Sequence, residues 1–468
     1  MTVSPQFSRT ESWALTTLTI ACFGVLANVF QGDGNPVSAS LAFSGICYTS
    51  TYCMIKWLGA TFIKANLKGR DMSKLKKVEI PEAMGAVAAI VYLLAIITFI
   101  PFPFYKDIVT ATSGGGNRDF VIEAQHIETG RLLHKFPHNK LASYLSAILS
   151  LQVIVILGIG DDLFDIRWRH KVLIPAFGAI PVLIVYFVDF GVTQISLPTF
   201  LRPYVGGREL VDLGVLYYLY MAGFAIFCPN SINILAGING IEVAQSLVLA
   251  LLILLNDVLY LLPSAPYPHP AIDSHLFSVY LLLPFVGVSL ALLKHNWFPS
   301  KVFVGDTYCY FAGMLFAVDG ILGHFSKTLW LLLIPQVFNF IYSAPQILHL
   351  VPCPRHRLPH FNVRTGLMEP SRVTFERPLR PIIQTVMKIA AAVKLLDIKT
   401  DESGNIIESS NFTIINLWLV WFGPMREDRL AMGLIALQIA CGLLGLFIRH
   451  KLALLIFTSD NLQHSSII

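Results

Sequence analysis

The feature that most constrains this chain is the recurrence of apolar stretches long enough to cross a lipid bilayer as helices. Only 13% of the 468 residues are charged, whereas soluble domains carry about a quarter. A lone strand cannot satisfy its backbone in lipid, so we expect helices. The sequence therefore predicts an all-α polytopic membrane protein, a bundle of about ten core transmembrane helices, at 38–64, 83–104, 141–159, 172–190, 211–229, 243–262, 276–293, 308–323, 328–349 and 430–456.

An eleventh apolar segment, Trp13–Phe30, precedes the others within an N-terminal extension of residues 1–37. It has no strongly basic start and no small-residue cleavage site, so we favour an uncleaved extra span or anchor over a signal peptide. Residues 38–349 then form a transmembrane core of nine spans, and residues 430–468 hold the last span and a luminal tail.

Residues 350–429 form the one sizeable stretch predicted to lie outside the membrane, as a small cytosolic α/β insertion between the last two spans. Within it, "TDESGNIIES" (400–409) predicts a turn between short strands, and "FTIINLWLVWFG" (412–423) is too short to span and is expected to lie along the interface. With alternating spans, the loops on this face carry more than twice as many Lys and Arg residues as the opposite loops. That excess predicts a cytosolic orientation, although the long 350–429 loop supplies much of it.

The cysteines and the net charge give no indication of two other kinds of site. The seven cysteines lie mostly inside apolar stretches, which favours neither a disulfide framework nor a zinc site. The net charge of +5 is spread over separate loops, so no basic patch indicates nucleic acid.

Polar residues instead concentrate in five loops on one predicted face of the membrane. If the spans bundle, these distant stretches converge on one pocket. They are "GRDMSKLKKVEIPE" (69–82), "GIGDDLFDIRWRHK" (158–171), "NSINILAGINGIE" (230–242), "HNWFPSKVFVGDT" (295–307) and "PCPRHR" (352–357).

The second loop holds acidic residues at helical spacing. If residues 160–170 are helical, Asp161 and Asp165 share a face, which indicates a bound cation or a shared proton. The alternative is a surface network in which Arg167, Arg169 and Lys171 pair with the carboxylates. For Asp306, in "VFVGDT", a ligand role competes with helix N-capping. For "PCPRHR", contact with anionic lipid is an equal alternative to a substrate site.

Together these residue types describe one class of ligand. Carboxylate and amide oxygens suit Mg²⁺, which takes few protein ligands and completes its shell with phosphate and water. Lysine and paired arginines suit phosphates. Glycines beside the asparagines allow close backbone approach, and Phe303 or Trp297 could stack on a base or sugar. The set predicts a nucleoside diphosphate with a metal, and a lipid-borne partner substrate.

These motifs, with "VPCPRHRLP" (351–359), resemble those of the eukaryotic UDP-N-acetylglucosamine–dolichyl-phosphate N-acetylglucosaminephosphotransferases, in the polyprenyl-phosphate N-acetylhexosamine-1-phosphate transferase superfamily. The resemblance covers nearly the whole chain from about residue 38, and "SGGGNRD" and "VWFGPMRED" are similar to the fungal branch.

The resemblance implies a Mg²⁺-dependent phosphotransferase that moves N-acetylglucosamine-1-phosphate from UDP-N-acetylglucosamine to dolichyl phosphate. It further implies the endoplasmic reticulum membrane with a cytosol-facing site, inhibition by tunicamycin, a homodimer and association with the next glycosyltransferases of the N-glycosylation pathway.

It also assigns residue roles by matching motif. Asn233 and Asp306 would hold Mg²⁺, Lys171 would contact the phosphates, and Asp161 and Asp162 would act in catalysis. The substrate-binding residues are the uridine contacts Glu82, Gly237, Asn239 and Phe303, the last by stacking; the sugar and phosphate contacts Arg355, His356 and Arg357; and Trp168 beside the dolichyl phosphate.

Other functions remain as alternatives at this stage. A transporter predicts polar residues at mid-bilayer and related halves, whereas the clusters noted above lie at span ends. A structural or receptor protein leaves the five clusters unexplained. A sister transferase with another sugar or polyprenol is the nearer rival.

Overall fold

The computed structural model describes residues 7–32, 34–74, 77–105, 137–262, 269–354, 357–375 and 379–457. The "SGGGNRD" loop lies outside these ranges. The described α-helices are, in chain order, α1 (Arg9–Gln31), α2 (Pro36–Lys64), α3 (Gly85–Phe99), α4 (His138–Phe164), α5 (Trp168–Lys171), α6 (Ile174–Gly178), α7 (Ile180–Asp189), α8 (Val215–Ile234), α9 (Ile241–Leu261), α10 (His269–Asn296), α11 (Asp306–Leu322), α12 (Ser326–Leu332), α13 (Ile334–Ile347), α14 (Pro381–Ala392), α15 (Ile414–Phe422), α16 (Glu427–Phe447) and α17 (Ala453–Ile456). A 3-10 helix at Arg202–Val205 and a π-helix at Ile448–Leu452 complete the helical segments of the described residues.

Every apolar stretch predicted to span the membrane coincides with helix. Six described helices are long and apolar enough to cross a bilayer, and a seventh crossing results if α12 and α13, bent by 70° at their junction, count as one. The protein is therefore mostly helical with several membrane-crossing candidates. The count of about ten spans stays a prediction, because α3 and α7 are shorter than the usual spanning length.

Helix α11 lies at the centre of the bundle, where every residue from Thr307 to Leu322 is buried. A helix that is apolar on all sides is stable only when other helices surround it. Close approach depends on small residues: a Cβ on Gly313 would lie 2.3 Å from the Cα atom of Pro229 in α8. The N-terminal residue of α11, Asp306, is thereby fixed at one end of the bundle.

Helix α1 packs one side against α2 and leaves its other side exposed. Ser8 caps the helix through a reciprocal bond with Glu11. Glu11 also accepts hydrogen bonds from Tyr52 (2.8 Å) and Lys56 (2.8 Å) of α2. The extra N-terminal segment is thus helical and attached to the core, while its role as an anchor stays a prediction.

Short antiparallel strands connect the helices. They are β1 (Lys68–Arg70) with β2 (Glu79–Pro81), β3 (Gln194–Ser196) with β4 (Leu210–Asp212), β5 (His360–Asn362) with β6 (Leu367–Glu369), and a three-stranded sheet in the order β7 (Arg372–Thr374), β9 (Ile406–Ser410), β8 (Ile398–Thr400).

The 350–429 region contains strands β5 to β9 together with α14 and α15. The predicted turn at 400–409 connects β8 and β9 as a hairpin. The 412–423 segment forms α15, which buries Ile414, Leu417 and Leu419 inside the protein. On this helix Trp421 and Phe422 are exposed, so much of the apolar surface predicted to meet the interface is covered by protein.

Candidate active site

The predicted polar loops meet at one end of the bundle, where α4, α8 and α10 end and α11 and α16 begin. Backbone hydrogen bonds join two of them directly: Phe303 N–H donates to the Pro81 carbonyl (2.8 Å), and Gly85 N–H donates to the Val304 carbonyl (2.7 Å). The prediction that distant loops converge is therefore confirmed for the described parts of these loops.

Lys171 is the centre of the site. Its ammonium group donates to the Asp161 carboxylate at 2.6 Å and to the Asp306 carboxylate at 2.8 Å. The Asp161 side chain is 1% exposed, so this pairing is buried and is not a surface network. Burial alone would lower the pKa of Lys171, but the Asp306 and Asp161 carboxylates outweigh it and raise that pKa above its usual range. The arrangement therefore favours the charged form of Lys171 between two acids.

Asp162, the neighbour of Asp161, has a different environment. Its carboxylate accepts hydrogen bonds from the Asp306 N–H (2.7 Å), the Thr307 N–H (3.2 Å) and the Thr307 hydroxyl (2.5 Å). It thus caps α11 from another helix, because the residue at the N-cap position is Gly305. A Cβ on Gly305 would lie 2.7 Å from the Asp162 carboxylate, and its φ is +80°. Glycine is required there for the close approach.

The predicted shared face of Asp161 and Asp165 is wrong. Helix α4 ends at Phe164, and Asp165 follows as a left-handed C-cap with φ 47°. The turn directs the Ile166 N–H to the second oxygen of Asp161 (2.9 Å). Both Asp161 oxygens are therefore occupied by donors, and the acid four residues away is turned out of the helix.

The N-capping alternative for Asp306 is also settled by these contacts. Asp306 is the first residue of α11, and its own carboxylate binds Lys171 rather than the helix N-terminus. The Asn233 side chain, at the end of α8, is close enough to that carboxylate to help lower the pKa of Asp306. No group of three His, Cys, Asp or Glu side chains converges as a metal cluster among the described residues. The Asp306–Asn233 pair still fits Mg²⁺, which needs only one or two protein oxygens beside phosphate.

Gly69, Glu82 and Phe303 lie close together in another part of the site, formed by the 69–82 and 295–307 loops. A Cβ on Gly69 would lie 2.8 Å from the Phe303 ring and 3.3 Å from the Glu82 carboxylate. The Phe303 side chain is partly exposed, and Glu82 is exposed. The structure thus places the predicted stacking residue beside the predicted carboxylate, at an accessible edge.

The loop between α8 and α9 carries Gly237 and Asn239. Among the described residues, neither of them forms a hydrogen bond with Lys171. Gly237 has φ +115°, and a Cβ there would lie 1.9 Å from the Leu358 side chain. Leu358, in the loop after α13, therefore packs directly against this glycine. The Gly237 N–H donates to Glu242 (2.9 Å).

Asn239 is buried in a polar network that the residue-by-residue sequence assignment missed. Its side chain donates to Asp71 (2.9 Å), and its backbone N–H donates to Glu427 (2.7 Å). Lys74 bridges the two acids, lying 3.2 Å from Asp71 and bonded to Glu427. The charged residues of this network are visible in the "GRDMSK" and "MRED" motifs. No local spacing, however, indicates that residues 71 and 427 share a partner.

Arg357 is the described member of the predicted arginine motif. Its carbonyl accepts from Asn416 (2.9 Å), and its Nη1 atom is buried with no hydrogen-bond partner among the described residues. Burial lowers the pKa of this guanidinium from its usual value, and the group still remains charged. A buried, unpaired guanidinium nitrogen is suited to a phosphate or sugar oxygen. Arg355 and His356 lie outside the described residues, as does the Trp168 side chain.

A second polar cluster, also missed, lies at the opposite end of the bundle. Asp257 of α9 bonds His275 (2.6 Å) and Ser278 (2.6 Å) of α10, and Ser278 lies 3.0 Å from Asp319 of α11. One Asp319 oxygen has no partner among the described residues. The sequence reading that polar residues gather on one face therefore overlooked these buried acids.

Comparison with known proteins identifies the class. The sequence profile of Glycosyl transferase family 4 matches residues 144–324, which include Asp161, Lys171 and Asp306. The match indicates a transferase, and the apolar helices indicate a membrane protein.

Three relatives, from Saccharomyces cerevisiae, Schizosaccharomyces pombe and Dictyostelium discoideum, are each named UDP-N-acetylglucosamine–dolichyl-phosphate N-acetylglucosaminephosphotransferase. The first is 54% identical over 91% of this chain and 93% of the relative. The second is 49% identical over 94% and 99%, and the third is 36% identical over 86% of each. The chain belongs to this family.

Proposed function

We propose that the protein transfers N-acetylglucosamine-1-phosphate from UDP-N-acetylglucosamine to dolichyl phosphate. The products are dolichyl-diphosphate-N-acetylglucosamine and UMP, and the reaction is the first step of lipid-linked oligosaccharide synthesis for N-glycosylation. Near-full-length similarity to the yeast enzymes supports this reaction. The observation that carries the chemistry is the Lys171 ammonium held between Asp161 and Asp306.

The reaction needs charge neutralisation more than a strong base. An oxygen of dolichyl phosphate attacks the β-phosphorus of the nucleotide sugar, and the bond from that phosphorus to the bridging oxygen breaks as UMP leaves. The nucleophile is a phosphate monoester with a second pKa of about 6, so it is largely ionised at neutral pH. Lys171 supplies positive charge at the place where the phosphates of the two substrates meet. Positioning of the substrates by the surrounding loops supplies much of the rate enhancement.

Asp161 serves in this scheme to orient Lys171. Both of its oxygens accept hydrogen bonds, from Lys171 and from the Ile166 N–H. A carboxylate so occupied is a poor general base, whereas it fixes the ammonium geometry well. Asp162 acts one step further away, because it holds the start of α11 and with it Asp306.

Mg²⁺ is the proposed cofactor, with Asp306 and Asn233 as its protein ligands. The donor set of one carboxylate and one amide supports this assignment. When bound, the ion would neutralise diphosphate charge during transfer.

The remaining predicted residues form the proposed substrate contacts. Phe303 would stack on uracil, with Glu82, Gly237 and Asn239 completing the uridine site. Since the Asn239 side chain is bonded to Asp71, we propose that its loop shapes this site together with the 71–74 segment. Arg355, His356 and Arg357 would bind sugar and phosphate, and Trp168 would lie beside the dolichyl phosphate.

The proposed setting is the endoplasmic reticulum membrane, with about ten core spans, the site and the α/β insertion facing the cytosol, and a homodimeric assembly. The gathering of the site at one end of the bundle supports a single-sided active centre. Accessibility labelling of cysteines placed at the exposed residues 72 and 402 would test the orientation, since both should react from the cytosol.

Incubation of purified protein with UDP-N-acetylglucosamine, dolichyl phosphate and Mg²⁺ tests the reaction. We expect UMP release that depends on the lipid acceptor. Uptake of nucleotide sugar into vesicles without UMP would favour a transporter, and faster turnover with another UDP-sugar or polyprenol would favour a sister transferase. Either result would contradict the proposal.

A further inference from the structure

Helix α14 has an apolar surface on both sides. Its inner side, through Ile383, Met387 and Ala390, packs with Val373 and Ile406 of the three-stranded sheet. A helix on the surface of a water-soluble region normally presents polar residues on its outer side. The outer side of α14 departs from this rule.

Four large apolar residues form a stripe along that outer side. Ile382, Val386, Ile389 and Val393 are 79%, 60%, 61% and 61% exposed. Their spacing of three or four residues places them on one face of the helix. No described residue covers them, so the stripe is available for contact with a partner outside the described part of the chain.

The surroundings of the stripe are aromatic and cationic. Trp421 of α15, itself 47% exposed, donates its indole N–H to the Lys394 carbonyl (2.7 Å), and the adjacent Phe422 is 61% exposed. Arg380, Lys388 and Lys394 are exposed at the ends and edge of α14. Apolar residues with tryptophan beside them and basic residues around them are typical of surfaces that lie on anionic lipid.

The position of α14 in the chain supports the same environment. Tyr342 of α13, part of a membrane-crossing candidate, donates its hydroxyl to the Leu395 carbonyl just beyond α14. Leu348 and Leu350, immediately after α13, are 66% and 54% exposed. The stripe is thus held close to the point at which the chain leaves the apolar bundle.

We infer that α14, with Trp421 and Phe422, is a membrane-surface helix that inserts its stripe into the headgroup region of an anionic leaflet. The occupant is phospholipid rather than a second copy of the chain, because flanking cations from three positions would repel the same surface of a copy and attract anionic headgroups. The contact would hold the 350–429 region, including the Arg357 loop, against the bilayer beside the site.

Site-directed fluorescence on the full-length protein in vesicles tests this contact. An environment-sensitive dye is attached to Ile389→Cys, with the part-exposed native Cys53, Cys353 and Cys441 replaced by serine. The matched control carries the dye at Glu402→Cys, on the exposed β8–β9 turn. Vesicles contain phosphatidylcholine and phosphatidylserine, with a lipid spin label near the headgroups or aqueous iodide as quencher.

We expect the dye at residue 389 to be quenched by the spin-labelled lipid and protected from iodide, with the reverse pattern at residue 402. Replacing Arg380, Lys388 and Lys394 together with glutamine should reduce the lipid quenching at residue 389. This reduction, measured against the protein with its native cations, should become larger as the share of phosphatidylserine in the vesicles rises. Quenching by iodide at both positions would overturn the inference. Protection from both quenchers would also overturn it, because it would indicate coverage by protein.

Discussion

Asp162 and Asp306 are joined by a hydrogen bond in which the Asp306 backbone N–H donates to the Asp162 carboxylate at 2.7 Å. The bond crosses between α4 and α11, so one acid positions the helix that carries the other. Adjacent acids therefore have separate tasks: Asp161 holds Lys171, and Asp162 holds the start of α11.

Replacement of Asp162 should reveal this positioning. Asp162→Ala removes the cap of α11, so we expect a loss of about 1–2 kcal/mol in unfolding free energy and a fall in turnover of at least about tenfold. Asp162→Asn keeps an acceptor and should be milder in both. Thermal unfolding and UMP release measure the two effects. Asp165→Asn is the matched acidic control, and a larger loss there would contradict the assignment.

The buried pairing of Lys171 predicts strong coupling with Asp161. Lys171→Met leaves two acids without their cation and should cost about 3 kcal/mol or more, whereas Lys171→Met combined with Asp161→Asn should cost less than the sum of the single changes. Unfolding of the four proteins in detergent gives the coupling energy. Strict additivity would argue against the pairing.

The raised pKa of Lys171 also predicts a pH profile. A lysine whose folded-state pKa is raised keeps its stabilising charge at every pH below its unfolded value and loses it only as pH rises through the folded value. Turnover should therefore show no alkaline loss from Lys171 between about pH 7 and 9.5. A pH-rate profile checks this, and an inflection that disappears in Lys171→Arg would contradict it.

Metal dependence should map to Asp306 and Asn233. Chelation should stop UMP release, and Mg²⁺ should restore it. Asn233→Ala should raise the Mg²⁺ concentration needed for half-maximal rate, and Asp306→Ala should abolish Mg²⁺-dependent turnover. Retention of the normal Mg²⁺ response in both variants would remove them as ligands. Thermal unfolding with Mg²⁺ and UDP provides a binding readout that is independent of turnover.

Gly237 should tolerate no side chain. Gly237→Ala forces a methyl group against Leu358 and places alanine at φ +115°, so we expect a loss of more than about 1 kcal/mol and a raised KM for the nucleotide sugar. Gly404→Ala, at φ +77° in open space, isolates the backbone cost. Leu358→Ala should partly rescue Gly237→Ala, since it removes the collision. Equal effects at both glycines would show that the contact is unimportant.

Much of the fold follows from sequence because it depends on local physics. An apolar run of spanning length must form a helix in lipid whatever its neighbours are, and helices were found at every predicted stretch. The choice of acids, lysine and asparagine amides likewise indicated phosphate and metal chemistry before any contact was visible.

The local sequence pattern gave a wrong prediction at the end of α4, where a turn replaces the helix that the spacing of the acids suggests. Asp161 and Asp165 are four residues apart, which suits one helical face, yet the left-handed backbone of Asp165 ends the helix. The preference for that turn depends on the Ile166 N–H reaching Asp161 and on Lys171 returning to the same carboxylate, and neither contact is encoded in the spacing.

The sequence by itself predicted several apolar helices long enough to cross a membrane, and polar residues gathered in loops at the helix ends. Only the tertiary structure decided that Lys171 lies between Asp161 and Asp306, and that Asn239 is bonded to Asp71 and Glu427. The reason is that these partners, apart from Asp161 at ten residues from Lys171, are 135 or more residues apart and are chosen by how helices pack, and packing depends on the shapes of many side chains at once.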